Sequence, residues 1–345
     1  MKKASFIGGT VVCVLAAFSF GAASQETQPS NETQQAPEFI SEMPDFRGIS
    51  QWFNSEPITK ASLKGKVVLV DFWTYSCVNC LRTLPYLKEW HKKYKAKGLV
   101  IVSVHSPEFE FERDPANLKA AIEKLQITYP VAMDNQMATW TAFKNNAWPA
   151  HYFIDAEGRI RQIHLGEGDY ENSEATIQKL LMERTFKKTA AASPTAMPPL
   201  TLLPPNVDFS QIRSPETYLG FLRRERLVTS GRPIELNEWS TDGKWRTEGE
   251  RIFLTEGVGK ITFRFSATRV NIVLAPEGTP VSAVVRLDGQ PPPKEKAGKD
   301  VQGGGLLITG PRMYELINLG PKGEEHTVEI EFLNPGVAAY AFTFG

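Results

Sequence analysis

Cysteine is nearly absent from this chain: there are three in 345 residues. Cys13 lies in the apolar N-terminal segment, which leaves Cys77 and Cys80 as one closely spaced pair. A single such pair cannot staple a chain of this length, so a disulfide-built scaffold is excluded. A structural zinc site is also poorly provided for, because zinc wants four ligands and the five histidines show no partner spacing. Net charge is absent too, with 39 Lys+Arg against 39 Asp+Glu. No basic excess points to nucleic acid as a partner, and no single-sign run points to an anionic membrane surface. Beyond the N-terminus, no apolar run approaches the roughly 20 residues of a membrane-spanning helix. No internal repeat is visible.

The N-terminus reads as an export signal over residues 1–24. Lys2 and Lys3 precede a mostly apolar stretch from Ile7 to Phe20, and Gly21-Ala22-Ala23-Ser24 offers small residues for cleavage after Ala23 or Ser24. A retained membrane anchor is the competing reading, but the apolar run is short and no positive flank follows it. Val12 before Cys13 is the wrong neighbour for a lipid-modified cysteine, which wants a small residue there. Residues 25–38, rich in Gln, Thr, Glu, Ser, Asn and Pro, are expected to be a disordered tether. The expected location is the periplasm or another exported compartment.

From residue 39 to 187 strand-like and helix-like segments alternate. Val67–Phe72 reads as a strand buried on both faces, and Leu99–Val104 as a second. Cys77–Lys97 has helical spacing of Leu81, Leu84, Leu87 and Trp90, with Pro85 inside it. Asn117–Leu125, Ala138–Phe143 and Ser173–Glu183 read as further helices. His151–Ile154 and Ile160–His164 flank the turn Asp155-Ala156-Glu157-Gly158 as a hairpin. Residues 188–206, with Pro194, Pro198, Pro199, Pro204 and Pro205, read as a semi-stiff linker that separates two domains. In residues 207–345, seven or eight short strand-like runs separated by Gly, Pro and Asp imply an all-β sandwich, jelly-roll-like and able to fold by itself.

The chemistry resides in Cys77-Val78-Asn79-Cys80. An apolar strand leads through a short turn to Cys77 at the start of a helix. A thiol in that position faces unpaired backbone N–H groups and the positive end of the helix dipole, which favours a thiolate. A cysteine three residues on lies one turn along the same face and can close a short disulfide. Thiol–disulfide exchange is the expected reaction, with Cys77 as the nucleophile and Cys80 as the resolving thiol. Two metal readings compete with it: a zinc half-site, and copper delivery in which thiolates bind Cu(I) with His151 approaching. A peroxidase reading wants Pro and Thr upstream of the reactive cysteine, and Thr74-Tyr75-Ser76 lacks that proline.

Asp71-Phe72-Trp73, then Cys77 and Cys80, then Pro85, resembles the active-site segment of the thioredoxin family. Trp148-Pro149 before a strand resembles that family's cis-proline. The extra segment between Val104 and Ala132 is similar to that of TlpA/ResA-like exported thioredoxins. Ser214-Pro215-Glu216-Thr217-Tyr218-Leu219-Gly220, the ending Ala339–Gly345 and His105-Ser106-Pro107-Glu108-Phe109 together resemble the soluble portion of DipZ-type proteins.

The resemblance implies an α/β thioredoxin fold followed by the β domain. It implies a redox-active Cys77–Cys80 disulfide in place of any other cofactor or metal. Asp71 would take the proton when Cys80 must become a thiolate, although a carboxylate at a strand end can also simply cap a turn. Trp73, Trp148 and Pro149 would bind substrate. The partners would be disulfide-bearing exported proteins. DipZ-type proteins carry a membrane electron-transfer domain where this chain has its signal segment, so a separate membrane protein is the expected electron donor. Val78-Asn79 replaces the Gly-Pro of thioredoxin, so that protein's potential does not carry over.

His105, His151 and His164 are read as packed strand residues. In the β domain, Trp239 and Trp245 lie in a polar segment; they can form a platform that stacks on sugar rings, or be ordinary core residues of a substrate-docking or structural module. The second reading of the whole chain is therefore a binding module, for cell-wall glycan or copper, whose CxxC is accessory.

Overall fold

Val-Val-Leu-Val-Asp-Phe-Trp can form a strand only where both faces are covered, and strand β3 (Val67–Trp73) is buried at every residue. The computed structural model describes residues 40–188, 197–199, 201, 207–229 and 231–345. The expected signal (1–24), the tether (25–38) and most of the linker (188–206) lie outside the described residues. Nothing among the described residues is a helix long and apolar enough to cross a membrane.

Around β3 runs a seven-stranded sheet in the order β1-β7-β6-β3-β4-β5-β2. Its other members are β1 (Ser41–Glu42), β2 (Gln51–Phe53), β4 (Leu99–His105), β5 (Val131–Met133), β6 (Ala150–Ile154) and β7 (Arg159–Leu165). β3, β4 and β5 are parallel, while β6 and β7 form the expected antiparallel hairpin. The helices are α1 (Val78–Tyr94), α2 (Pro115–Lys124), α3 (Ala138–Ala142) and α4 (Tyr170–Lys188). Alternation along β3 divides the core. Val67, Leu69 and Trp73 join Leu84, Leu87 and Trp90 of α1 and Ile177 and Leu180 of α4. Val68, Val70 and Phe72 join Phe143, Tyr152 and Met43 on the other face.

The β domain is one ladder of ten strands around its own core. These are β8 (Thr217–Tyr218), β9 (Trp239–Thr247), β10 (Ile252–Ala267), β11 (Arg269–Pro276), β12 (Val281–Leu287), β13 (Val301–Gln302), β14 (Gly305–Ile308), β15 (Arg312–Asn318), β16 (Glu324–Phe332) and β17 (Val337–Phe344). The sequence reads Arg251–Leu254 and Lys260–Phe265 as two strands, but β10 is one strand of 16 residues. It pairs with β17 at Ile252 and Phe253 and with β16 from Gly259 onward, so its two halves have different neighbours. The register against β9 slips between Glu256 and Lys260, and Gly257 there has a φ of +62°, a conformation glycine adopts without strain.

The linker does not hold the two domains apart. Phe39–Gly345 forms one compact unit. Phe109 and Phe111 pack on Tyr340, with ring centroids 5.0 and 4.9 Å apart, in a cluster shared with Val273, Ala275, Met313 and Ala338. Glu108 Oε1 accepts from Tyr218 Oη at 2.8 Å and from Arg223 at 2.7 Å. Part of the linker is itself docked: Lys93 Nζ donates to the Pro199 carbonyl (2.9 Å), and Thr201 N donates to Glu174 Oε2 (2.6 Å). The apolar side chains of the segment after β4 give the physical reason. Phe109 is buried in the cluster with the β domain, and Phe111 bridges that cluster and the edge of the thioredoxin core beside Tyr75.

Candidate active site

β3 ends at Trp73, and Thr74-Tyr75-Ser76 turns the chain into α1. Cys77 is the N-cap of α1 in an extended conformation, and its sulfur accepts from Cys80 N at 3.4 Å. No acidic residue occupies the first turn, so no negative charge competes with sulfur for the helix N-terminus. Both cysteines are free thiols, Cys77 half-buried and Cys80 buried. Burial pushes the Cys80 thiol well above its ordinary range; its hydrogen bond to Cys77 and the charges of Cys77 and Asp71 push it the same way. Cys80 therefore holds its proton while Cys77 faces outward.

Cys77 opens on a cleft of about 240 Å³. Val78, Asn79, Arg82 and Glu167 form one wall; Ile212, Ser214, Glu216 and Phe344, all from the β domain, form the other. Arg82 fixes this junction. It donates to Glu167 Oε1 at 2.8 Å and to the Phe344 carbonyl at 2.8 Å, with both side chains of the ion pair 8 % exposed. Sequence reasoning missed Arg82 and the second wall. The available signal was a charged residue two positions after Cys80 in the otherwise uncharged first half of α1.

Asp71 is buried, and its Oδ2 accepts from Ser103 Oγ at 2.6 Å. Its Oδ1 lies 3.3 Å from His151 Nε2. His151 faces this acid and His164, and among the described residues no group of three His, Cys, Asp or Glu could hold a metal ion. Pro149 follows a cis peptide bond, as the resemblance implies. Trp148 is half-buried, tilted against Trp140 with ring centroids 4.3 Å apart, and its Nε1 donates to the Ser106 carbonyl at 3.0 Å.

The chain matches the model of the AhpC/TSA family over residues 33–163 and that of the thioredoxin-like C-terminal domain over 214–345. It is 33% identical over 142 residues to the thiol-disulfide oxidoreductase YkuV of Bacillus subtilis, covering 41% of this chain and 95% of that protein. This chain belongs to the thiol–disulfide oxidoreductases. It is also 34% identical over 340 residues to protein DipZ of Mycobacterium tuberculosis, covering 93% of this chain and 46% of DipZ, so it spans less than half of that relative's length. The thiol-disulfide oxidoreductase ResA of Bacillus cereus is 28% identical over 147 residues, 43% of this chain and 77% of that protein.

Two expectations for this oxidoreductase need correction. Trp73 is wholly buried, packed edge-on against His105 at 5.6 Å, and cannot touch a substrate. It supports the catalytic turn from behind. Trp239 and Trp245 do not form a sugar platform. Trp239 is fully buried in the β core and donates to the Glu225 carbonyl at 2.8 Å. Trp245 lies half-buried against Phe332, at 5.7 Å. The polar segment around them is strand β9, which turns these rings toward the core.

A buried carboxylate that the sequence did not disclose supports the turn before Cys77. Glu112 Oε1 accepts from Ser76 Oγ at 2.6 Å and from Thr74 Oγ1; Oε2 accepts from the N–H groups of Glu108 (2.7 Å) and Phe109 (3.0 Å). Thr74 Oγ1 also meets His105 Nε2 at 3.3 Å, and burial brings that imidazole down to about 3, so it stays neutral. Burial raises Glu112 from 4.5 to about 7 against these four hydrogen bonds. The folded chain therefore keeps a proton that the unfolded chain has already released between those values. Stability is expected to fall as pH rises through that window, by about 3 kcal/mol at most. Glu112→Gln should remove this slope from the pH dependence of the denaturant midpoint; a slope identical to wild type would refute the assignment.

Proposed function

We propose that this chain is an exported oxidoreductase that reduces or isomerises protein disulfides through Cys77 and Cys80. The observation that carries the reading is the asymmetry of the pair: Cys77 opens on the cleft at the α1 N-terminus while Cys80 is buried one turn behind it. Cys77 attacks a client disulfide and displaces one client sulfur. Cys80 then attacks Cys77, frees the second client sulfur and leaves the Cys77–Cys80 disulfide. The proton of Cys80 passes to Asp71. Both electrons come from the two sulfurs, so the reaction needs no further cofactor. A dithiol donor in the membrane would restore the reduced pair. Trp148 and Pro149 would border the client backbone.

Export is supported by Lys2, Lys3 and the apolar stretch Ile7–Phe20. The clients would be exported proteins bearing disulfides. A reducing or isomerising direction is supported by the uncharged Val78-Asn79 and the absence of a cationic group between the cysteines. The potential is expected toward the thioredoxin end of the roughly −120 to −270 mV range of such dithiols, and a value above about −150 mV would overturn this direction. Equilibration of the purified protein with glutathione buffers measures it.

A further inference from the structure

Four polar side chains cross the middle of the thioredoxin sheet in register. Ser103 on β4 pairs with Asp71 on β3, Asp71 with His151 on β6, and His151 with His164 on β7. Residues opposite one another in a sheet share a face, so the four form a row. Asp71 alternates with Leu69 and Trp73, which places the row under α1 and α4, on the face where Cys80 is buried. Unpaired polar groups cost free energy there, and a structural role would have satisfied them. Ser103 bonds Asp71 and the Glu167 main chain bonds His164, but other atoms of the row are unsatisfied. Asp71 Oδ1, both nitrogens of His151 and His164 Nε2 have no aligned hydrogen-bond partner. The approach of His151 to Asp71 is an ion-pair contact of 3.3 Å, and the rings of His151 and His164 lie parallel, 6.0 Å apart. His164 is half-exposed and marks the end of the row nearest water.

We propose that Asp71, His151 and His164 form a proton route from the buried Cys80 thiol to the surface, with Ser103 holding Asp71 in place. This rests on the reading of Cys80 as the resolving thiol. In that step the Cys77–client disulfide breaks, the Cys77–Cys80 disulfide forms, and the client sulfur leaves as a thiolate. The proton of Cys80 goes to Asp71, then to His151, and through His164 to water; the client thiolate takes its own proton from solvent. The neighbours suit this direction. Tyr129, the other titratable group near Asp71, is held protonated by burial and by the Asp71 charge, so it does not accept the proton. Burial and His151 bring His164 down, while Asp169 and the Glu167 main chain oppose them, so His164 releases a proton readily at neutral pH.

The test follows dithionitrobenzoate reacting with the reduced full chain in a Cys13→Ser background, which releases one coloured thiolate when Cys77 attacks and a second when Cys80 resolves. His151→Gln is expected to slow the second release by about tenfold or more and to alter its pH profile, while the first stays within about twofold. Asp71→Asn with His151→Gln should be no slower than Asp71→Asn alone, because both act on one route. His164→Ala should slow the second release less, and added imidazole should restore it. The proposal is overturned if both histidine variants keep the wild-type second release and pH profile. If His151→Gln does not fold, His164→Ala with and without imidazole decides. A release from Cys77→Ser, in the same Cys13→Ser background, as fast as the wild-type first release would instead overturn the reading of the cysteine pair itself.

Discussion

Cys77→Ser is expected to lower reduction of a protein disulfide by a factor of about 10³ or more, to the level of the unassisted reaction. The reason is access. Cys77 is the sulfur that lines the cleft, and Cys80 is fully buried with its thiol kept protonated. Cys80→Ser should behave differently. The first attack remains, the resolving step is lost, and clients accumulate as mixed disulfides on Cys77. Those adducts would appear on non-reducing gels and vanish with reductant. Trapping by Cys77→Ser in place of Cys80→Ser would reverse the roles.

Arg82→Met should be the most damaging single change away from the sulfurs. It leaves Glu167 buried without its cation and the Phe344 carbonyl without its donor. Burial already pushes the Glu167 carboxyl up even with Arg82 beside it, so little solvent is at hand to compensate. Breaking a buried pair from one side costs about 3–5 kcal/mol. Thermal unfolding of Arg82→Met should shift down accordingly, and Arg82→Met with Glu167→Leu should recover most of the loss, because no charge is then stranded. A loss below about 1 kcal/mol in the single variant would show that water reaches the pair.

The cysteine pair, the strand before it and the β-rich second half were legible because each rests on a local pattern. Val67–Trp73 is apolar on both faces, and the runs from Arg269 onward alternate with turn residues. The failures are tertiary. Trp239 and Trp245 sit among Ser, Thr, Asp, Gly and Lys, and only pairing of β9 with β10 turns them inward. Gly257 and Gly259 read as a break, yet they let β10 bend within one strand. Glu112 lies in the segment between β4 and α2, and no spacing there announces a partner in the catalytic turn. Arg82 finds its partners 85 and 262 residues away, beyond the reach of any local signal. Ser103 was within reach: one polar residue in each of two adjacent buried strands is a hint that the two meet.

The two-walled cleft has a consequence for which disulfides can be touched. About 240 Å³ holds a few side chains, not the surface of a folded domain. A client sulfur that approaches Cys77 through this cleft would have to lie on a stretch of chain thin enough to enter between α1 and the β domain. Disulfides packed inside a finished fold would be spared, and those on loops, or on chains still searching for their structure, would be exposed. The second domain would then protect completed proteins from an indiscriminate thiol, selecting clients by how far they have folded rather than by their sequence.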